Sequence, residues 1–228
     1  MQHPIIVTID VVLLTVAPSG MQVALQRRVQ APFAGVLALP GGYVRPELDG
    51  NTYETAVRVL KTKTGISSTH LEQLVSESSP SRDPRGWSLS VVYLALVPLK
   101  SLLAQGSSRL DLCCADALPA LAFDHAQLIA KALERLRNKA AYSTLPLGLM
   151  PETFTLAELQ KTYEQVMGVT LNKSTFRARM APLILEPGQA SPAHPALYPT
   201  GDTQDGVQRP ARLFRKSMAL NIFENPLK

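Results

Sequence analysis

Two adjacent glycines, Gly41 and Gly42, place the strongest constraint on what this chain can fold into. They follow the apolar run 36–39, and glycine permits backbone angles and close ligand approaches that other residues resist. The pattern predicts that a strand ends here in a glycine turn, and that the turn forms one wall of a binding pocket. Gly41 and Gly42 are therefore candidate ligand-binding residues.

A capped helix follows the glycine pair. Asn51 and Glu54 have the spacing of a capping box, and Gly65 is placed to end the helix. Apolar residues recur at helical spacing between these two ends, as in a helix with one buried face. We expect a helix over residues 52–64.

The glycine pair and this helix together resemble the signature of the Nudix hydrolases. The helical part of that signature is matched at Arg58, Leu60, Gly65 and Ile66. The places of the family's helical glutamates are held by Val59, Thr62 and Lys63. The interval from Gly42 to Arg58 is two residues longer than the signature, and no glutamate occupies its first carboxylate position counted from either end.

Metal-dependent pyrophosphate hydrolysis needs several carboxylates on one helical face, because the cations neutralise the pyrophosphate and activate water. Val59 has no oxygen ligand, Thr62 has only a neutral hydroxyl, and Lys63 repels a cation. The remaining carboxylates nearby lie in the loop and first turn, where they cannot rebuild that face: Glu47, Asp49 and Glu54. The sequence therefore predicts no catalytic residues, no metal site and no cofactor.

Composition indicates a globular chain in a reducing compartment. The length of 228 residues is enough for one large domain or two small ones. The residues are 46% hydrophobic and 18% charged, as in a globular protein. The two cysteines, Cys113 and Cys114, are adjacent and are too few for a disulfide framework or a four-ligand zinc site. The apolar run 5–17 is interrupted by Asp10 and is too short for a membrane span. We expect a cytoplasmic protein with no membrane contact.

The order of predicted elements divides the chain into two domains. We expect a hairpin of strands at 5–16 and 21–28, further strands at 71–77 and 87–98, and an amphipathic helix at 123–140 capped by Asp124. Two prolines and a glycine follow that helix in the segment 142–151. We place the boundary in this segment, which gives domains 1–145 and 146–228.

The second domain has the pattern of a winged helix. Thr155 and Glu158 form a capping box, and the helix that they open ends at Gly168. Asn172 is placed to cap a second helix, so the two helices resemble a helix-turn-helix. The segment 212–216 is predicted to be the returning strand of a β-ribbon. Seven basic and three acidic residues lie between 171 and 216, which suits phosphate contacts but also suits a solvated basic face.

Four motifs in order make the resemblance more specific. They are residues 82–86 before the apolar run 91–97, residues 122–125, residues 154–160, and residues 209–214. Together they resemble the Nudix-related transcriptional regulators called NrtR, over roughly residues 5–216. The Pro-rich segment 185–200 departs from that family and lengthens the connection into the wing.

The resemblance implies a fold, a function and partners. The implied fold is α+β, an α/β/α Nudix sandwich with a mixed sheet as effector-binding domain, followed by a small winged helix-turn-helix domain. The implied function is a repressor of genes of NAD metabolism, in which ADP-ribose or a related nucleotide relieves DNA binding. The implied partners are a double-stranded operator and a second copy of the chain in a homodimer.

Arginine and lysine side chains supply the candidate anion contacts for the effector. Loss of the glutamates makes the pocket more favourable to a diphosphate without metal, with Lys63 in place of a cation. The cationic candidates are Arg28, Arg45, Arg58, Lys63, Arg82 and Arg85. Alternatively, Arg58 pairs internally with a carboxylate. Arg82 and Arg85 could instead be solvated loop residues. Phe33 and Trp87 are candidates for stacking on adenine and equally for the core.

The predicted recognition helix and wing supply the candidate DNA contacts. Ser174 and Arg177 lie near the helix start, where base edges are read. The candidate phosphate contacts are Lys173 and Arg179, and those from the wing are Arg209 and Arg212.

An alternative is that the winged helix only mediates dimerisation. Two further alternatives concern the first domain: a Nudix pyrophosphatase acting on ADP-ribose-like substrates, and a regulator that responds to a sugar.

Overall fold

The first strand, β1 (Ile6–Ala17), is the centre of a mixed sheet. In this computed structural model, the described residues are 5–66, 70–104, 110–185, 195–204, 210–217, 220–223 and 227. The chain divides into two units, Met1–Leu133 and Glu134–Lys228. The other strands of the first unit are β2 (Gly20–Arg27), β3 (Leu37–Ala38), β4 (Gly41–Tyr43), β5 (His70–Ser79), β6 (Ser88–Leu96) and β7 (Asp111–Cys114).

Both parallel and antiparallel pairing meet at β1. It pairs antiparallel with β2 and β4 and parallel with β6, and β5 adds to β6 in antiparallel register. The short strands β3 and β7 both pair with β2. The helices that begin in this unit are α1 (Thr52–Thr64), α2 (Leu99–Ala104) and α3 (His125–Ala140).

Helix α1 covers one face of the sheet. Side chains alternate along a strand, so Ile9, Val11 and Leu13 share a face, and they form a buried cluster with Val59 and Leu60 of α1. The helix ends as predicted. The Asn51 side chain accepts a hydrogen bond from the Glu54 backbone N–H at 2.9 Å, and Gly65 closes the helix at a left-handed φ of 77°.

Helix α3 begins on the opposite face of the sheet. Asp10 projects to that face because it alternates with Ile9 and Val11. His125, the first residue of α3, has its Nε2 atom 3.8 Å from Asp10 Oδ1. Leu128, Ile129 and Ala132 of α3 are buried, so the sheet is protected from water on both faces.

In its described residues, the second unit has two short α-helices after α3 and a three-stranded sheet. Its helices are α4 (Leu156–Met167) and α5 (Lys173–Met180), and its strands are β8 (Thr153–Thr155), β9 (Leu197–Gln204) and β10 (Ala211–Lys216). The sheet order is β8-β10-β9, antiparallel throughout. Tyr163 of α4 and Phe176 of α5 pack edge to face with ring centroids 5.5 Å apart. The predicted winged helix is therefore present.

The capping signals of the second unit are confirmed. The Thr155 hydroxyl accepts from the Glu158 backbone N–H, and the Glu158 carboxylate accepts from the Thr155 N–H. Gly168 ends α4 at φ 69°. The Asn172 side chain caps α5. Local sequence signals are reliable here because each satisfies unpaired backbone groups at a helix end.

One sequence prediction needs correction, and two elements were not predicted. Gly41 and Gly42 are not a turn: they belong to β4 and pair with Asp10 and Ile9 of β1, without positive φ. Residues 99–104 form a helix that the sequence pattern did not indicate. The segment 142–151, in which we placed the domain boundary, contains a buried 3-10 helix at Leu145–Leu149. No helix in the described ranges is long and apolar enough to cross a bilayer.

The glycine pair is required for space, and the two positions differ in how much. A Cβ atom on Gly41 would lie 2.3 Å from Asp10 Oδ1 and 3.1 Å from the Ile9 carbonyl oxygen, whereas one on Gly42 would meet only a methyl of Val59 at 3.1 Å. The Asp10 side chain cannot swing away cheaply because Ser90 holds its other oxygen at 2.6 Å. We therefore predict that Gly41→Ala lowers the free energy of unfolding by about 2–3 kcal/mol.

Gly42→Ala is the matched control for this prediction. Its only close neighbour is the end of an apolar side chain, so we expect a loss below about 1 kcal/mol. Urea unfolding followed by circular dichroism measures both variants. Equal losses for the two variants would show that the buried Asp10 side chain does not determine the need for glycine.

Candidate functional site

Three of the predicted ligand residues lie in one cluster with three aspartates. We call this group the arginine cluster, and its members are Arg28, Arg82, Arg85, Asp10, Asp83 and Asp124. Arg28 directly follows β2, while Arg82, Asp83 and Arg85 lie in the loop between β5 and β6. Asp10 comes from β1, and Asp124 directly precedes α3. Sequence-distant segments thus deliver opposite charges to one region of the sheet.

Asp10 is the buried base of the arginine cluster. Its Oδ2 atom accepts a 2.6 Å hydrogen bond from the Ser90 hydroxyl and lies 3.6 Å from the Arg82 guanidinium. His125 is neutral beside it, because its Nδ1 atom accepts the Leu39 backbone N–H at 2.9 Å and so carries no proton. Burial lowers the pKa of His125, although the carboxylate of Asp10 acts in the opposite direction.

Arg82 joins this base to the start of α3. Its Nε and Nη2 atoms donate to the two oxygens of Asp124 at 3.0 and 2.9 Å. This bidentate geometry is the strong form of an arginine–carboxylate pair. Only 8% of the Arg82 side chain is exposed, so its charge is already compensated by Asp124 and Asp10 inside the protein. The interpretation of Arg82 as a solvated loop residue is therefore wrong.

Arg85 and Arg28 form the more open part of the cluster. Arg85 donates from Nε and Nη2 to Asp83 at 2.9 and 2.6 Å, and from Nη1 to the Tyr43 hydroxyl. This pairing lowers the pKa of Asp83 and raises that of Arg85. Burial lowers the pKa of Arg28, and the nearby positive charge of Arg85 lowers it further. An anion between these two guanidiniums would relieve their repulsion.

An aromatic surface adjoins Arg28. Its guanidinium lies 4.7 Å from the centroid of the Phe123 ring, and Phe33 packs edge-on to Phe123 at 4.8 Å. Phe33 is 40% exposed, which leaves part of its ring available for stacking. Phe33 and Phe123 both have positive φ, 64° and 54°, a conformation that costs energy in a non-glycine residue and often occurs at binding sites.

The remaining predicted ligand residues lie elsewhere. Arg58 donates to both oxygens of Asp49 at 2.7 and 2.6 Å and to the Tyr43 carbonyl at 3.0 Å. This pair lowers the pKa of Asp49 and makes Arg58 a structural clamp. Arg45 and Lys63 are exposed, and neither belongs to the arginine cluster. Gly41 does adjoin the cluster through Asp10.

The residues on α1 do not fit the divalent cations that Nudix hydrolases use. Val59 is 1% exposed and packs in the apolar core. The Thr62 hydroxyl donates to the Arg58 carbonyl at 2.8 Å, and Lys63 would repel a cation. Within the described ranges, no three side chains of His, Cys, Asp or Glu gather as a metal site. These three positions therefore offer no carboxylate to a divalent cation.

Helix α5 presents a polar surface opposite its buried side. Phe176 and Met180 are both 1% exposed. Lys173, Ser174 and Arg177 are exposed, and Arg179 is half-buried. Four predicted DNA-binding residues are thus on one short helix. The helix N-terminus also contributes a positive dipole end, which favours a phosphate.

The turn before α5 is held by two residues of α4 that sequence reasoning missed. The Glu164 carboxylate accepts the Leu171 backbone N–H at 2.9 Å and an amide N–H of Gln160 at 3.1 Å. The Gln160 amide also donates to the Leu171 carbonyl at 2.8 Å. These bonds fix the entry of the chain into α5. The signal in the sequence was a pair of polar residues four apart on a helix.

The wing places Arg212 in solvent, and Arg209 lies outside the described residues. The Arg212 guanidinium stacks over the ring of Phe214, 5.3 Å from its centroid. At the end of β10, Lys216 donates from Nζ to the carbonyls of Leu147 and Met150 at 2.9 and 2.6 Å. Burial lowers the pKa of Lys216 to about 8. Lys216 thus ties the wing to the 3-10 helix that precedes β8.

Comparison with known proteins identifies the family. Residues 146–216 match the family described as the NrtR DNA-binding winged helix domain, and residues 7–136 match the NUDIX domain. Over 226 residues the chain is 40% identical to a protein of Acinetobacter baylyi named "ADPR responsive transcriptional repressor NtrR". The match covers 97% of this chain and 86% of that relative. The chain belongs to the NrtR family.

Solved NrtR structures have the same fold. Shewanella oneidensis NrtR complexed with a 27mer DNA superposes with a TM-score of 0.86 at 33% identity, covering 97% of this chain and 99% of that one. The NUDIX domain of the same NrtR complexed with ADP ribose gives a TM-score of 0.53 at 37% identity, covering 59% of this chain and 90% of that one. The predicted fold class and family resemblance are therefore confirmed.

The buried amine of Lys216 generates a prediction on pH in this NrtR-family chain. Its folded pKa of about 8 lies below the ordinary lysine value of about 10.4. Between these values the unfolded chain binds more protons than the folded chain, so stability rises with pH. We expect the unfolding free energy of the wild type, relative to Lys216→Met, to increase by about 2 kcal/mol from pH 8 to pH 10.

Urea unfolding of both proteins at pH 8, 9 and 10 measures this difference. Methionine is one atom shorter than lysine, is unbranched and has no amine, so titration of all other groups cancels in the comparison. A difference that stays constant across this range would mean that the amine titrates at its ordinary pKa.

Proposed function

We propose that this protein is a transcriptional repressor whose DNA binding is relieved by ADP-ribose or a closely similar nucleotide. The observation that carries the proposal is the combination, in one chain, of the arginine cluster with an exposed recognition helix. A diphosphate suits Arg28 and Arg85, and DNA suits α5. The names of the Acinetobacter and Shewanella relatives support both halves, since one is called ADPR responsive and another was crystallised with DNA.

Specific side chains contact the diphosphate and the base of the proposed ligand. Arg28 and Arg85 hold the diphosphate by charge-assisted hydrogen bonds, and Tyr43 orients Arg85. The Phe33 ring offers a stacking surface for the base. In the free protein the two guanidiniums repel each other. A bound anion attracts both of them and so offsets this repulsion.

The response to the ligand is a shift between two arrangements of the protein. An effector changes DNA affinity only if it binds the DNA-incompetent arrangement more tightly. The Arg82–Asp124 pair is suited to report occupancy, because Arg82 adjoins the arginines of the site and Asp124 precedes α3. An anion that draws Arg82 away leaves Asp124 unpaired at the start of that helix.

The proposal includes assembly and targets. A homodimer on a palindromic operator, acting in the cytoplasm, is the arrangement that a helix-turn-helix protein commonly uses. Control of genes of NAD metabolism follows from the family resemblance and stays a prediction. The domain limits 1–145 and 146–228 are also proposed, with the buried 3-10 helix at Leu145–Leu149 at their junction.

Absence of catalysis is part of the proposal, and ADP-ribose tests it. We expect incubation of the full chain with ADP-ribose and Mg²⁺ to release no AMP, because α1 lacks the carboxylates that hold the cations. Product analysis by chromatography measures this. Clear Mg²⁺-dependent turnover would favour the alternative, a Nudix pyrophosphatase with relocated metal ligands.

Ligand binding is tested by a thermal shift. We expect ADP-ribose without metal to raise the melting temperature of the full chain, because a ligand stabilises the state to which it binds. Arg85→Ala should weaken the apparent affinity by about tenfold or more, through loss of a charge-assisted contact. Lys100→Ala, which removes an exposed charge on α2, is the control and should bind as the wild type does. A shift with a neutral sugar and none with nucleotides would favour the sugar-responsive alternative.

DNA binding is tested on α5. We expect Arg177→Ala to weaken binding to the preferred operator by about 1–3 kcal/mol and to relax the preference at one base position. Lys173→Ala should weaken binding to all sequences and reduce the salt slope by about one. Fluorescence anisotropy at several salt concentrations measures both, with Lys100→Ala as control. Unchanged operator affinity in Arg177→Ala would favour the alternative of a winged helix used only for dimerisation.

A further inference from the structure

The amide oxygen of Asn172 collects the hydrogen-bond donors at the start of α5. It accepts the backbone N–H of Ser174 at 3.0 Å and that of Thr175 at 3.1 Å. It also accepts the Ser174 hydroxyl at 2.6 Å and lies 3.4 Å from the Thr175 hydroxyl. The short Ser174 contact shows that this hydroxyl proton points back toward the cap.

Because its hydroxyl proton is donated to Asn172, Ser174 can only accept a further hydrogen bond. A serine hydroxyl has one donor and two acceptor lone pairs. Since the donor is used by Asn172, the outward side of the Ser174 oxygen can only accept. The Asn172 amide nitrogen retains outward donors, because only its oxygen is used in the cap. The first turn of α5 therefore has a fixed donor and acceptor polarity.

Ser174 lies at the centre of the exposed side of α5. It is two residues from the buried Phe176, which places it on the far side of the helix, and Ala178 is one turn further along the same side. Ser174 and Ala178 are both exposed and small, so the backbone of α5 can approach a partner closely along this line. The longer side chain of Arg177 lies beside it.

We propose that Asn172 is a positioning residue that fixes Ser174 as a hydrogen-bond acceptor, so that α5 selects an exocyclic amino group in the DNA major groove. The amino groups presented there are N6 of adenine and N4 of cytosine. This inference rests on the proposed function and goes beyond it, because it states which base chemistry one side chain selects. Guanine and thymine present acceptors at the corresponding place, and two acceptors facing each other repel.

The same polarity excludes Ser174 as a phosphate contact. A phosphate oxygen only accepts hydrogen bonds, so it gains nothing from a hydroxyl whose proton is already donated. Phosphate contacts on this turn belong to donors, such as the Lys173 ammonium. Ser174 thus contributes to sequence preference and little to the salt dependence of binding.

Base analogues test the inference on the full-length protein. The preferred operator is first selected from a pool of random DNA duplexes. Each adenine is then replaced by purine, which lacks the N6 amino group, and each cytosine by 2-pyrimidinone, which lacks the N4 amino group. For the wild type we expect one position in each half-site where this replacement weakens binding about threefold to tenfold, the value of one hydrogen bond. For Ser174→Ala we expect no loss at that position and unchanged losses elsewhere.

Variants at Asn172 separate positioning from a structural role. Asn172→Asp keeps the accepting oxygen, so the selectivity for the amino group should be retained even though the added negative charge weakens binding overall. Asn172→Ala frees the Ser174 proton, so selectivity at that position should disappear while Ser174 is still present. The measured quantity is the ratio of affinities for the natural and analogue operators, which a general loss of helix stability does not change.

Distinct outcomes separate this inference from the function on which it depends. If no amino group shows a loss that depends on Ser174, or if Asn172→Ala keeps the full selectivity, the inference is wrong although operator binding stands. If the full chain selects no duplex from the pool, the proposed DNA-binding function is itself wrong.

Discussion

The buried carboxylate of Asp10 is the constraint on which the first unit depends. An unpaired charge inside a protein costs several kcal/mol, so each neighbour of this carboxylate must compensate for it or make room for it. Ser90 donates a hydroxyl, Arg82 brings a positive charge, and Gly41 leaves the space that any side chain would fill. Gly41, part of the glycine pair that resembles a catalytic signature, is thus required by its packing against β1, independently of catalysis.

The cost of a buried charge also bears on two sets of positions in this Nudix domain, the glutamate positions of α1 and the arginines of the cluster. A glutamate at residue 59 would lie in the apolar cluster with Ile9 and Val11, where a carboxylate without a cation is destabilising. Valine is therefore the favourable side chain at this position when no cation is present. The arginines differ from such a glutamate because their charges are compensated without a ligand. Asp83 pairs with Arg85, and Asp124 pairs with Arg82. A site of paired charges is stable when empty, and in the proposed function a phosphate replaces one of the carboxylates.

Local signals in the sequence predicted α1, α3, α4 and α5, but they did not predict α2 or the contacts between distant segments. Helix α1 has the predicted limits because Asn51 and Gly65 satisfy nearby backbone groups. The pairing of Gly41 with Asp10 was not predictable, because strand register depends on residues far apart in sequence. For the same reason the arginines were found by residue type, but their partners were not: Asp124 is 42 residues from Arg82. Asp10 did leave a signal, a single charge within an apolar strand, which indicates a buried network as well as arguing against a membrane span.

Coupling between the two functions requires that something change when the ligand binds, and the charge pairs restrict what that is. Arg85 holds Asp83, two residues away in the same loop, so its exchange with a ligand has only local effects. Arg82 holds Asp124, which precedes α3, and α3 is a continuous helix that passes from residues of the first unit to residues of the second. Under the proposed function, we therefore infer that the ligand acts by competing for Arg82. Its contribution to coupling is limited to the difference in ligand affinity between the paired and unpaired arrangements.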